Sequence, residues 1–443
     1  MKKPILSILL VSLSLSLSSQ SISKNIIIET VDNQLLKAKE TYIDLHQNPE
    51  LSFMEFETSK KMAKKLNELG FEVTTNVGGN GVVGIFKNGE GKTILLRTDM
   101  DALPIKENTG LAYSSQIITK DFEGKDAPAM HACGHDLHMT SWLGTLQTLI
   151  SLKKYWQGTI VAIAQPAEEV SGGSNAMIAD GLFQKFPKPD FALAYHVSAE
   201  LPAGTIGYYA GSIFAGVNSV DIQVFGIGGH GAMPHTTIDP IVLASRIVLD
   251  IQTIVSREIN PVHPAVVTVG SIHGGTKHNI IPDQVNLQLT VRFFSDETYN
   301  QILEALKRIT KGIAISAGLP EEKWPLVKAS NQFTPPVINN SELVAKSVIA
   351  MKEILGEKKL IQVEPLTVGE DFGKYGLTAE KIPIALFWLG GVNNDDYQNH
   401  LKNGTALPGL HNAAFYPDFE PSYKTGVAAM ANAMIQLFNE NNN

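Results

Sequence analysis

The sequence contains a single cysteine, Cys133, among 443 residues. A disulfide bond within one chain is therefore impossible, and the thiol must serve packing, metal binding or catalysis. Basic residues are also scarce, since 36 Lys and Arg stand against 44 Asp and Glu, and no long Lys/Arg block occurs. Nucleic acid and anionic lipid are excluded as expected partners, because both are bound through concentrated positive charge.

Long apolar runs are missing as well, and the nearest approach to one lies at the N-terminus. Residues 1–23 combine a charged start at Lys2 and Lys3, an apolar stretch interleaved with serine as far as Leu17, and a polar end rich in serine. This layout predicts a secretory signal peptide. The stretch is shorter than the ~20 apolar residues that span a bilayer. We therefore predict an exported protein, periplasmic or secreted, without a membrane anchor.

Apolar residues are plentiful, at 44% of the chain, and occur in short runs between amphipathic stretches. Runs such as 93–96 and 160–164 are typical of buried strands, and helical spacing follows at 136–152. Such alternation predicts an α/β fold, with a mixed, largely parallel sheet covered by helices on both faces. We assign residues 24–212 and 329–443 to this domain, which carries the candidate catalytic residues.

The middle of the chain has a different pattern. Three segments there are predicted as strands from their β-branched or alternating residues: 220–225, 266–269 and 285–292. Two are predicted as helices: 241–255 and 297–317. This order predicts a small α+β, ferredoxin-like domain inserted into the larger one at residues 213–328. One glycine-rich segment in it, 226–231, only superficially resembles a phosphate-binding loop, because it lacks the Lys-Ser/Thr ending.

Residues of the metal-ligand and acid–base types cluster where apolar runs of the larger domain end. They are Asp99 and Asp101, Glu168 and Glu169, His196, and the pair Cys133 and His135 just before a helix. In open α/β sheets the carboxyl ends of the strands meet at one edge, where binding sites form. We therefore expect these side chains to converge although they are scattered in sequence.

Cys133 and His135 are separated by one residue, so a thiolate and an imidazole can reach one metal ion, or two adjacent ions, from a single turn. Such ligands favour zinc and its first-row neighbours. A lone cysteine is more often a small buried apolar residue. Here His131 and His138 surround the pair, and Asp136 is available to orient an imidazole, so the sequence favours a metal site.

Glu168 and Glu169 form an adjacent acidic pair. Acids of this kind also occur at exposed helix starts, where they suit the helix dipole. Pro166 before the pair and the small residues 171–173 after it instead favour a tightly packed loop facing a site. One carboxylate of such a pair can bind metal while the other accepts a proton from water.

Seven strings of this sequence together resemble those of the aminoacylase-like zinc metallopeptidases. They are RTDMDALP at 97–104, MHACGHDLH at 130–138, QPAEE at 165–169, GGHGAMPH at 228–235, GGTKHNIIP at 274–282, GEDF at 369–372 and LH at 410–411. They occur in the family's order and cover nearly the whole mature chain. The resemblance is to the N-acyl-amino-acid amidohydrolase branch in particular, which includes hippurate hydrolases and indole-acetyl-amino-acid hydrolases.

This resemblance implies two divalent metal ions, zinc or manganese, with cobalt or nickel as further possibilities. The implied ligands are Cys133, His135, Glu169, His196 and His411. The resemblance further implies Glu168 as general base, Asp101 as an acid near the metals, and a homodimer through the inserted domain, which acts as a lid. In that dimer, His230 would reach the scissile carbonyl of the partner subunit. Asn279 and Arg292 are implied substrate-binding residues, and a guanidinium suits a substrate carboxylate.

The predicted function is therefore hydrolysis of the amide bond of an N-acyl amino acid, hippurate-like or N-acetyl. The products would be a carboxylic acid and a free amino acid, formed by metal-activated water with a Glu base. Two alternatives stay open. One is an exported metallo-carboxypeptidase or dipeptidase of the same superfamily acting on short peptides. The other, more distant, is a non-catalytic periplasmic binding protein, which would need neither the ligand set nor a free base.

Overall fold

A computed structural model describes residues 22–121, 123–331 and 333–440. The predicted leader, residues 1–23, lies outside this part of the chain except for its last two residues. The strands are β1 Glu72–Val77, β2 Gly81–Asn88, β3 Thr93–Asp99, β4 Ile118–Lys120, β5 Asp126–Pro128, β6 Gly158–Gln165, β7 Phe191–Pro202, β8 Ile206–Tyr208, β9 Gly211–Phe214, β10 Gly216–Phe225, β11 Gly229–His230, β12 Ala265–Gly274, β13 Ile280–Ile281, β14 Gln284–Phe293, β15 Leu326–Ala329, β16 Val337–Asn339, β17 Leu360–Gln362 and β18 Ile384–Val392. The α-helices are α1 Lys24–Asp32, α2 Leu35–Gln47, α3 Phe56–Glu68, α4 His135–Ser151, α5 Gly173–Ala179, α6 Leu182–Lys185, α7 Pro240–Asp250, α8 Asp296–Ser316, α9 Ser341–Leu355, α10 Gly373–Gly376, α11 Asn394–Asn403 and α12 Phe419–Asn439.

The larger sheet has eight strands in the order β1-β2-β6-β3-β7-β18-β8-β17. Its central pairs β6–β3, β3–β7 and β7–β18 are parallel, and β1, β2 and β8 supply the antiparallel contacts. Alternate residues of β3 face opposite layers: Ile94 and Leu96 pack in the core that includes α4 and α12, whereas Leu95 packs in the core that includes α5 and α10. This arrangement confirms the predicted mixed, largely parallel sheet with helices on both faces.

The smaller sheet has four antiparallel strands in the order β12-β14-β10-β15. Helices α7 and α8 cover it, and its core of Ile222, Ile247, Leu287 and Ile302 is separate from the cores of the larger sheet. The chain order strand-helix-strand-strand-helix-strand confirms the predicted ferredoxin-like arrangement. The sheet runs from the start of β10 to the end of β15, and the predicted limits at 213 and 328 stay a prediction.

Residues 35–69 carry apolar residues at helical spacing and form two helices, α2 and α3. Pro49 ends the first, because proline lacks an N–H and disfavours helical geometry in the residue before it, here Asn48. The Glu50 carboxylate begins the second, accepting hydrogen bonds from the backbone N–H groups of Glu57 at 3.1 Å and Thr58 at 2.7 Å. In the described part of the chain, no helix is both long and apolar enough to cross a membrane.

Candidate metal centre and active site

The candidate ligands converge at one edge of the larger sheet, as the sequence predicts. Three overlapping sets have their ligand atoms within 4.8 Å of one another: Cys133, His135 and His196; Cys133, Glu169 and His411; and His135, Glu168 and Glu169. They come from the turn before α4, the loop after β6, strand β7 and the loop before α12. The five predicted ligands and the predicted base therefore lie in one cluster.

Short distances link the members of this cluster. Cys133 Sγ lies 3.5 Å from His196 Nε2, and Glu169 Oε2 lies 3.3 Å from His411 Nε2. The other Glu169 oxygen, Oε1, lies 3.8 Å from His135 Nε2. These separations leave room for a cation between the donor atoms, because zinc sits about 2.0–2.3 Å from each nitrogen, oxygen or sulfur ligand.

Unpartnered atoms in the cluster support a metal site. His135 Nδ1 donates to the backbone oxygen of Asp101 at 2.8 Å, and His196 Nδ1 donates to that of Val197 at 2.9 Å, so each Nε2 faces the cluster. His135 Nε2 and Glu169 Oε1 are buried without any hydrogen-bond partner. Buried polar atoms are nearly always paired, and a cation would satisfy both. The sulfur, nitrogen and oxygen donors suit zinc and its first-row neighbours.

The turn that carries Cys133 requires a glycine. Gly134 adopts φ +74°, and a Cβ there would lie 2.6 Å from Val197 Cγ1 on strand β7. Only glycine combines the left-handed backbone with this close approach. The turn thus sets Cys133 and His135 on either side of Gly134, against the strand that supplies His196.

Asp101 holds in place the loop of residues 166–172 that carries Glu168 and Glu169, here called the acidic loop, and it is not among the residues that line the cavity over the cluster. Its Oδ1 accepts from the backbone N–H of Glu168 at 3.1 Å, and its Oδ2 accepts from that of Glu169 at 3.0 Å and from Ser52 Oγ at 2.6 Å. The same residue fixes the ring of His135 through its backbone oxygen. Asp101 therefore orients the proposed base and two candidate ligands.

Glu55 is a positioning residue that sequence reasoning missed. Its fully buried carboxylate accepts hydrogen bonds from the backbone N–H groups of Phe53 at 2.9 Å and Ala167 at 2.8 Å. Burial and the charge of Asp101 raise the pKa of Glu55 to about 7. No spacing rule could identify it, because Ala167 lies 112 positions further along the chain.

The loop that carries Glu168 and Glu169 and the loop before α12 have a strained backbone at three residues other than glycine. Ala167, Ser171 and His411 have φ values of +50°, +53° and +62°. Left-handed conformations cost such residues about 1–3 kcal/mol each and are retained where the surroundings enforce them. The strain flanks the acidic pair on both sides and includes a candidate ligand, so it marks the same edge of the sheet as the donor atoms do.

Burial and charge shift the titration of the acidic pair. Burial raises the pKa of Glu168 well above its usual range, and the charges of Glu370 and Glu169 add to this effect. Burial also raises the pKa of Glu169, to about 7, although His135 opposes the shift. A carboxylate with a raised pKa is a stronger base, which suits the predicted role of Glu168.

The thiol needs a cation to ionise. Burial raises the pKa of Cys133 well above its usual range, and the charges of Glu169 and Glu168 raise it further. A coordinating thiol is deprotonated by its metal ion, which offsets these effects. For His135, burial favours the neutral ring, but Asp99 and Asp101 raise its pKa to about 10. The cluster thus attracts positive charge.

Arg97 anchors a buried ion network beside the acidic pair. Its guanidinium contacts Asp99 at 2.7 Å, Glu370 at 2.9 Å and Asp371 at 3.3 Å, and all four side chains are fully buried. Gln165 also donates to Asp371, at 2.7 Å. The network therefore joins strand β3 to the GEDF segment, which shows that the acids of that segment orient other groups.

Of the remaining predicted residues, one reaches the site and two do not. A cavity of about 450 Å³ lies over the cluster, and Arg292 of strand β14 lines it together with Cys133 and Glu168. His230 ends β11 and Asn279 directly precedes β13; both are exposed and are not among the residues that line this cavity. Within one chain the structure therefore leaves these two apart from the cluster.

The sequence matches Peptidase family M20/M25/M40 over residues 95–418. The hippurate hydrolase of Campylobacter jejuni is 40% identical over 335 residues, which are 74% of this chain and 82% of that protein. Thermostable carboxypeptidase 1 of Saccharolobus solfataricus is 34% identical over 422 residues, 94% of this chain and all of that protein. The chain therefore belongs to Peptidase family M20/M25/M40 and is a hydrolase.

A solved structure shares this fold and is described as binding two metal ions. The Bacillus subtilis YXEP protein is described as a dinuclear metal-binding peptidase of the M20 family. It superimposes with a TM-score of 0.76 at 29% identity, covering 93% of this chain and 99% of that one. The resemblance inferred from the seven strings is thereby confirmed at the level of family and fold.

Proposed function

We propose that this protein is a dinuclear metal-dependent amidohydrolase that cleaves N-acyl amino acids into a carboxylic acid and an amino acid. The observation that carries the proposal is the convergence of five donor residues around unpartnered atoms, with Glu168 beside them. A basic residue, Arg292, lines the same cavity, where it suits the carboxylate of an amino acid. The similarity to a hippurate hydrolase supports this substrate class.

The proposed ligands are Cys133, His135, Glu169, His196 and His411. Divalent ions held there would polarise the amide carbonyl and acidify water. Glu168 accepts the proton of the attacking water and delivers it to the leaving amine nitrogen. Asp101 keeps the acidic loop in place through its two backbone hydrogen bonds. Arg292 pairs with the substrate carboxylate and so fixes the scissile bond relative to the base.

The second candidate function is a carboxypeptidase or dipeptidase. The similarity to a thermostable carboxypeptidase favours it, and a free carboxylate next to the scissile amide is common to both substrate classes. A non-catalytic binding protein would not need a buried base next to five donor residues. The membership in a hydrolase family also weighs against this alternative.

We further propose a homodimer formed through the inserted domain, which acts as a lid over the cavity. His230 is exposed and lies away from the cavity of its own chain. This placement is compatible with a role in the partner's site, where an imidazole could donate to the developing oxyanion. Asn279 lies beside it, since its backbone oxygen accepts from Gly231 at 2.9 Å. Export through the leader at 1–23 completes the proposal.

The proposed function is tested with purified protein, a chelator and a panel of N-benzoyl, N-acetyl and dipeptide substrates. We expect two bound ions per chain, hydrolysis of the N-acyl substrates, loss of activity on chelation and recovery with zinc or manganese. Full activity in metal-free protein would overturn the metal-dependent mechanism. Hydrolysis of dipeptides alone would favour the peptidase.

A further inference from the structure

A second cavity opens beside the metal centre. It has a volume of about 680 Å³ and is mainly apolar, with Leu51, Phe53, Leu103 and Val170 in its wall. We call it the acyl pocket. Glu169 and Ser171 line both this pocket and the cavity over the metal centre, so the two spaces meet at the acidic loop. A ligand whose reacting bond lies at the cluster can therefore extend into either space.

The wall of the acyl pocket is held by backbone hydrogen bonds. Leu103 and Met130 exchange two of them, at 3.0 and 3.1 Å, and the N–H of Ala102 donates to the backbone oxygen of Glu50 at 2.8 Å. Leu51 is buried and packs in a small cluster with two alanines. The pocket is therefore preformed, as ligand sites usually are.

Phe53 joins this wall to the acidic loop. Its ring packs against Gly172, where a Cβ would lie 2.7 Å from Cζ of the ring. Its backbone N–H donates to Glu55, the same carboxylate that holds Ala167 of the acidic loop. The buried side chain of Glu55 thus fixes the distance between the pocket wall and the candidate ligand Glu169.

Charge separates the two spaces. Among the described residues, no lysine or arginine lines the acyl pocket, and its ionisable members are Asp121 and Glu169. The cavity over the metal centre contains Arg292. A substrate carboxylate is therefore repelled from the pocket and attracted to the cavity, which orients an N-acyl amino acid with its acyl group toward the pocket.

We propose that the acyl pocket binds the apolar acyl group of the substrate and gives the enzyme a preference for bulky aryl or branched acyl groups over acetyl. The inference rests on the proposed amidohydrolase function and names its substrate class. A volume of about 680 Å³ far exceeds what a methyl group fills. Burying each further methylene should raise kcat/KM about fourfold until the pocket is full.

The test compares kcat/KM for N-benzoyl and N-acetyl derivatives of one amino acid. The variant is Val170→Asn, which replaces an apolar side chain by an amide of similar size at a position that is 58% exposed. Val262→Asn, the same change at an exposed valine outside the pocket, is the matched control. We expect the wild type to prefer the benzoyl substrate, Val170→Asn to lower that ratio about tenfold, and the control to leave it unchanged.

Two outcomes separate this inference from the proposed function. Failure to hydrolyse any N-acyl amino acid would remove the proposed function itself. Hydrolysis of both substrates with the same ratio in wild type and Val170→Asn would overturn the acyl pocket alone. If Val170→Asn loses metal, the Phe53→Gly variant is used instead to test the acyl pocket. Glycine tolerates the φ of +63° at that position, and the substitution removes the Phe53 ring from the pocket wall. An unchanged ratio in Phe53→Gly would likewise overturn the assignment.

Discussion

Two groups of buried histidines flank the start of helix α4, and they differ in whether their ring nitrogens have partners. In the first group, His135 Nε2 faces Glu169 with no hydrogen bond. In the second, His46 lies between Asp136 at 2.6 Å and Glu107 at 3.1 Å, so both of its nitrogens are paired. The residue types are the same. An unpaired ring nitrogen that faces other donor atoms, as in His135, distinguishes a group that can take a cation from one that stabilises the fold. His131 also has two unpaired ring nitrogens, but it belongs to none of the donor sets among the described residues.

His138 brings this contrast onto a single helix. It lies three positions after His135 and shares its neighbour Asp99, which accepts from His138 Nδ1 at 2.7 Å. His138 Nε2 accepts from the backbone N–H of Val197, also at 2.7 Å. No ring nitrogen of His138 is left for a metal, although the sequence places both histidines in one motif.

The largest effect is expected when His135 and His138 are each replaced by alanine. His135→Ala should lose bound metal and reduce activity to background, because it removes a candidate ligand. His138→Ala should keep its metal and show a lower melting temperature, because a buried hydrogen-bonded group is lost. Metal analysis and thermal unfolding of both purified variants provide the measurement. Equal metal loss in the two would show that pairing does not distinguish the groups.

A second experiment asks whether the acidic pair divides its roles. Glu168→Gln should lower kcat about 10²–10⁴-fold by removing the base, while metal content stays at the wild-type level. Glu169→Gln should lower metal content as well, since Glu169 Oε1 is one of the unpartnered atoms. The kcat and the metal content of both variants are measured by steady-state kinetics and metal analysis. Metal loss in Glu168→Gln would assign both carboxylates to the cations.

The smallest effect concerns the paired group and its dependence on pH. Burial opposes protonation of His46, but Asp136 and Glu107 raise its pKa from 6.5 to about 10. Because the folded pKa lies above the unfolded one, this stabilisation is complete below pH 6.5 and is lost as pH rises through about 10.

The loss should reach about 1.4 kcal/mol per pH unit within that window. His46→Asn should therefore destabilise the protein more at pH 6.5 than at pH 10, as measured by urea unfolding at both values. A difference that grows with pH would contradict the ion pairs described for His46.

The sequence could predict the donors but not their partners. Cys133, His135 and Glu169 lie at strand ends and in short motifs, where residue type and spacing are visible. Glu55 and Arg97 act through groups 112 and 273 positions away, respectively, and only the folded chain brings these together. Pro49 indicates the break between α2 and α3, but the helical spacing of the apolar residues on either side does not show where one helix ends and the next begins.

The distance between His230 and its own cavity has the same origin. The motif around it predicts a functional residue, but a motif carries no information about which chain that residue would serve. The fold places it on a separate two-stranded ribbon, formed by the pairing of β11 with β13. Topology, which spacing does not encode, decides where His230 lies.

The fork of Arg97 has a consequence for how the protein is made. Its partner Glu370 follows 273 residues later, so a ribosome adding about 5–20 residues per second delivers it roughly 14–55 s after Arg97. The whole smaller sheet is synthesised within that interval and makes its contacts among neighbouring segments of the chain. We therefore expect the smaller sheet to fold before Arg97 can form its ion pair with Glu370. The order of synthesis thus completes the ion network, and with it the surroundings of the proposed base, only after the smaller sheet has been made.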